Sequence, residues 1–76
     1  MTNENTQTLL SKKQIESVIS LYSNGNINQA IERIKVLNQE YPNVPLLFNI
    51  LGACYKVLGD TEAALQMFNT ATKIKP

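Results

Sequence analysis

The sequence predicts an all-α fold: four helices arranged as two antiparallel helical hairpins, one stacked on the other. Three observations carry that prediction. Gly25, Ala30 and Pro42 recur at one constant offset as Gly59, Ala64 and Pro76, and a fixed period of this kind marks an architecture in which each unit relies on its neighbour to bury its apolar face. Apolar residues recur at intervals of three and four, and no run alternates with the period of a strand. The three connections are two to four residues long, which turns each helix back along the one before it.

The elements can be taken in order. Residues 1–8, MTNENTQT, have no apolar periodicity and too little to bury, so they read as a mobile arm ahead of a folded domain over residues 9–76. Ser11 and Gln14 have the spacing of a capping box, and Leu10 can staple onto Ile15 across the cap. The first helix spans about residues 12 to 24 and ends at the turn signal Asn24-Gly25-Asn26. Asn26 with Gln29 offers a second capping box, and Ala30, Ile31, Ile34, Leu37 and Tyr41 form the stripe of a second helix that Pro42 stops. Pro45 suits the first turn of a third helix because its missing N–H has no intrahelical partner there. Gly59 supplies the left-handed residue that closes this helix near Leu58, and Asp60 caps the fourth. Glu62 in the first turn of that helix and Lys73 and Lys75 in its last complement the helix dipole, and the helix runs to about Ile74.

Composition narrows the function. Seven Lys and Arg stand against six Asp and Glu, so the chain lacks the basic surplus that drives phosphate binding, and nucleic acid is not an expected partner. No stretch approaches the roughly 20 apolar residues of a membrane span, and no basic segment followed by an apolar run opens the chain. The expectation is a soluble, cytoplasmic protein with no membrane partner. The sequence has one cysteine, Cys54, and no histidine. Without histidine the usual metal-ligand and general-base constellations are missing, so neither an enzyme nor a metal or other cofactor is expected. Cys54 lies in a strongly apolar helix, where a small buried thiol is the ordinary reading. Glu32, Arg33, Lys35 and Glu40 read as the solvated face of the second helix.

Phe48, Leu51, Gly52, Tyr55, Gly59, Ala64, Phe68, Ala71 and Pro76 together resemble the tetratricopeptide repeat (TPR) at almost every signature position. The match covers residues 43–76. The preceding unit, residues 11–42, keeps Gly25, Ala30 and Pro42 but departs at Gln14, Ser17 and Val18, where a large residue, a Leu and a small residue are expected. It resembles a degenerate N-terminal repeat. The resemblance implies a short right-handed solenoid of about two repeats and a protein-interaction scaffold. It also implies a concave groove lined by the first helix of each hairpin, which receives an extended peptide or a partner helix.

Projected onto this chain, the groove positions include Ile15, Ile19, Tyr22, Asn49, Ile50, Ala53 and Val57. TPR domains that clamp the carboxylate tails of chaperones carry Lys and Asn where this chain has Ile15, Ile19 and Ile50, so that clamp is not expected. An apolar peptide or amphipathic helix is the expected partner. Cover by another segment of the chain or by a second copy, which would make the chain a homodimer module, is the alternative, because large contiguous apolar patches mark interfaces. At the other end of the stack, Leu58, Met67, Ala71 and Ile74 would offer a surface for a further helix. A polar arm, a degenerate repeat and a regular one also resemble, loosely, the N-terminal region of larger bacterial transferases or oxygenases, where the piece would serve a regulatory role.

Overall fold

A computed structural model describes residues 10–74. The arm expected over residues 1–8, Lys75 and the Pro76 that closes the second repeat lie outside the described residues. Within them the fold is all-helical: α1 is Lys12–Ser23, α2 Ile27–Glu40, α3 Pro45–Val57 and α4 Thr61–Ile74. Each helix packs on its neighbour in the chain, α1 on α2, α2 on α3 and α3 on α4. The result is two antiparallel hairpins, α1–α2 and α3–α4, in a TPR-like arrangement.

Each helix end has a local cause. The Ser11 hydroxyl accepts a hydrogen bond from the Gln14 amide at 3.1 Å, while the Gln14 side-chain oxygen accepts one from the Ser11 amide at 3.0 Å. This capping box satisfies two of the donors that a helix start leaves unpaired. Leu10, just before it, is half-buried against the core.

Both hairpin turns use the same closure. Gly25 and Gly59 hold φ of 83° and 85°, the left-handed region that glycine enters without steric cost. Each donates its amide three residues back, to Tyr22 and Lys56, and the next residue donates five back, Asn26 to Leu21 and Asp60 to Tyr55. That pair of bonds is the Schellman motif.

The residues after the two glycines behave differently. Asp60 Oδ1 accepts from the Ala63 amide at 3.1 Å and caps α4. The capping box expected at Asn26 is not formed: Asn26 makes no side-chain cap bond. Its ψ of 64° holds the backbone outside the extended region from which a cap side chain normally reaches the N2 and N3 amides.

The core is continuous across the hairpin junction. Val18, Ile27, Ala30, Ile31, Ile34 and Leu37 join Leu47, Leu51 and Cys54 in one buried cluster. The helix α2, held between α1 and α3, contributes five buried residues, whereas α4 fully buries only Ala64 and Ala71. An inner helix is covered on two sides and α4 on one, so the sequence places its large aliphatics on α2. Inside the second hairpin, α4 comes close to α3 at Gly52. A Cβ built there would lie 2.6 Å from Phe68 Cε1, so the aromatic ring rests directly on the α3 backbone.

Candidate functional site

The first helices of the two hairpins, α1 and α3, run past each other with a depression between them. Ile19 and Tyr22 supply one wall and Asn49, Ile50 and Ala53 the other, around a volume of about 300 Å³. Helical spacing explains the set. Ile19 and Tyr22 are three apart, and Asn49, Ile50 and Ala53 follow the same three-and-four rhythm, so each wall is one helix face.

The inward turn of these same helices carries Val18, Leu47, Leu51 and Cys54, all buried. The depression therefore sits at the edge of the packed core, between the buried and the exposed faces of α1 and α3. Ile19 is 45% exposed, while Tyr22 and Ile50 are half-buried and pack against the core from outside. Asn49, exposed, and Tyr22 are the residues with polar side-chain atoms in an otherwise hydrocarbon lining. Among the described residues no Lys or Arg lines it.

Five of the seven residues that the sequence places in a groove line this depression. Ile15 is half-buried one turn earlier on α1, and Val57 is 55% exposed one turn beyond Ala53; neither lines it. The four residues expected at the far end of the stack separate more widely. Leu58 is 50% exposed and Ile74 half-buried, but Ala71 is buried and Met67 packs against the core cluster. A different set, Lys56, Thr61, Ala64, Leu65 and Phe68, lines a depression of about 320 Å³ there.

Cys54 is buried and unpaired. Burial pushes its thiol above the ordinary value, the opposite of what a nucleophilic thiolate needs. Among the described residues no group of three or more His, Cys, Asp or Glu is placed to hold a metal ion, and no helix is long and apolar enough to cross a membrane.

Glu32, Arg33, Lys35 and Glu40 are exposed, as the sequence predicts for the outer face of α2; the contact this face makes with α1 escapes sequence reasoning. Leu21, Gln29, Glu32, Arg33 and Val36 line a third depression of about 440 Å³, and Arg33 Nη1 donates to Ser17 Oγ at 3.2 Å. The signal lies in Ser17 itself. Its counterpart in the second repeat is the buried Leu51, and a serine in a leucine position marks a place where the helix meets something polar.

Over 56 residues, 74% of this chain, the sequence is 32% identical to anaphase-promoting complex subunit 3 of Dictyostelium discoideum. The chain spans 6% of the length of that protein. No protein-family model matches the chain, and no solved structure matches it. The likeness and the four helices together agree with a TPR-like fold.

Proposed function

We propose that the chain is a TPR-type protein-interaction scaffold that takes an apolar peptide or amphipathic helix in the groove between α1 and α3. The observation that carries the reading is the lining: Ile19, Tyr22, Ile50 and Ala53 meet on one open face with no cation among them. A surface of that kind gains by losing water to another apolar surface, whereas a carboxylate tail would find no charge to pair with. Asn49 can hold a partner's backbone in register while the aliphatic walls take its side chains. The volume, about 300 Å³, lies at the lower limit of small-molecule pockets, roughly 300–1,000 Å³. A few side chains of a larger partner fill it better than a whole ligand.

The similarity to a protein named as a subunit of a complex agrees with a role in holding proteins together. On this reading the chain carries out no reaction, needs no cofactor and works in the cytoplasm. Its net charge of only +1 favours proteins as partners over nucleic acid or anionic membranes.

An amide-resolved NMR titration with a designed leucine-striped amphipathic helix tests it. Shift changes are expected to converge on Ile19, Tyr22, Asn49, Ile50 and Ala53. Saturating peptide that leaves those five amides unmoved contradicts the proposal.

A further inference from the structure

The turn between α1 and α2 holds a chemistry that its twin between α3 and α4 lacks. Both close on a left-handed glycine, but Gly25 follows Asn24 whereas Gly59 follows Leu58, and Asn24-Gly25 is the one Asn-Gly step in the sequence. The backbone nitrogen after an asparagine can attack that residue's own side-chain carbonyl carbon, one reason asparagine is thermolabile, and glycine, with no side chain, shields its nitrogen least. Asn24 is exposed at the C-terminal cap of α1. The closed turn blocks the attack in two ways. A ψ of 2° at Asn24 eclipses the Gly25 nitrogen with the nitrogen of Asn24 and swings it away from Cβ, so the five-membered ring cannot close. The Gly25 N–H is also committed to the Tyr22 carbonyl at 3.1 Å, with the Asn26 N–H beside it on the Leu21 carbonyl at 2.9 Å. An exposed helix end held by two such bonds opens locally far more often than the domain unfolds.

We infer that Asn24 is a modification site, an asparagine that deamidates spontaneously at a rate set by opening of the α1–α2 turn. In the open turn the Gly25 nitrogen gives its proton to solvent and attacks Asn24 Cγ. A C–N bond forms, the Cγ–Nδ2 bond breaks, and Nδ2 leaves as ammonia after taking a proton from solvent. Water then opens the cyclic imide at one of its two carbonyls, leaving aspartate or isoaspartate, with nothing oxidised or reduced. Both products weaken the closure of the first hairpin. Aspartate sets a carboxylate at the negative end of the α1 dipole. Isoaspartate adds a carbon to the backbone between Asn24 and Gly25 and draws the Asn26 amide off the Leu21 carbonyl. Tyr22, whose carbonyl holds the Gly25 N–H, is a wall of the groove between α1 and α3, so the modified turn adjoins that groove.

The test is peptide mapping by mass spectrometry of the protein held at mildly alkaline pH, with and without urea, read beside hydrogen exchange at the Gly25 amide. In urea, Asn24 should convert ahead of Asn26, Asn28 and Asn43, which precede Ile, Gln and Val. In the folded protein its conversion should be slower by about tenfold or more, and by at least the factor that protects the Gly25 amide from exchange, since ring closure needs that same N–H released. Asn24→Asp, which installs one product directly, should melt below Asn24→Gln, which keeps an amide. One rate in folded and unfolded protein, a slowing smaller than the protection of the Gly25 amide, or earlier conversion of Asn26, Asn28 or Asn43 in urea overturns the inference. Equal melts of the two variants overturn the weakened closure.

Discussion

The two hairpins build the same pair of helices from different side chains. Where α3 has Gly52 under the Phe68 ring, α1 has Val18 and α2 has Ile34, both fully buried. A small residue opposite a large one has been exchanged for two of middle size. Interiors are packed closely enough that only such compensated exchanges preserve the helix spacing. The other two departures of the first hairpin have equally local causes. Gln14 replaces a large apolar residue because it completes the Ser11 capping box, and Ser17 replaces a leucine because Arg33 reaches it at a polar end. What reads as degeneracy in the first repeat is a set of substitutions, each with a local partner in the first hairpin.

One repeat position separates the hairpins most sharply. Ile31→Ala and Leu65→Ala remove similar side chains from equivalent places in the two repeats, but Ile31 is 7% exposed and Leu65 56%. Urea unfolding should lose about 2–5 kcal/mol for the first and within about 0.5 kcal/mol for the second. Equal losses would mean that α4 is as well covered as α2.

The exchange of Gly52 and Phe68 for Val18 and Ile34 can be tested by grafting. Gly52→Val should drive its side chain into the Phe68 ring and cost about 1–3 kcal/mol. Adding Phe68→Ile installs the first hairpin's pair in the second and should recover part of that loss. A double-mutant cycle with coupling below about 0.3 kcal/mol would leave the compensation without support.

The caps differ more gently. Asp60→Ala should destabilise by about 1 kcal/mol, the usual value of a lost side-chain cap. Asn26→Ala removes no such bond and should cost only a few tenths. Thermal melts of the two variants, run together, decide it.

The smallest effect lies at Cys54. Burial holds its thiol above the ordinary 9.0, so above that pH the unfolded chain has lost a proton that the folded chain keeps. Stability should therefore fall as pH rises past 9.0. Cys54→Ala should remove that part of the slope while losing some packing; an unchanged slope would assign it to other groups.

Much of this is legible in the sequence. Gly25 and Gly59 announce their turns because only a left-handed residue closes a helix in that way. Pro42 and Pro45 fix the boundary between hairpins through the amides they lack, and Ile19, Tyr22, Asn49, Ile50 and Ala53 follow from the resemblance to the tetratricopeptide repeat, whose groove positions they occupy. Asn26 misleads because its residue type suits a cap while its backbone angles, set by the preceding turn, do not. The C-terminal face is only half legible: Leu58 and Ile74 can be placed near the surface. Whether α4 turns Met67 and Ala71 or Leu65 outward depends on the rotation of the helix about its axis, which packing against α3 sets.

The groove between α1 and α3 is central to the function proposed, and one affinity tests it directly. In Leu65→Asp protein the C-terminal face carries a charge, leaving the groove as the surface open to an amphipathic helix. Fluorescence anisotropy with a labelled leucine-striped helix should show saturable binding to that protein, weakened about tenfold or more when Ile19→Asp is added and the melting temperature is unchanged. Equal affinity with and without the Ile19 change would contradict the groove as the place where a partner docks.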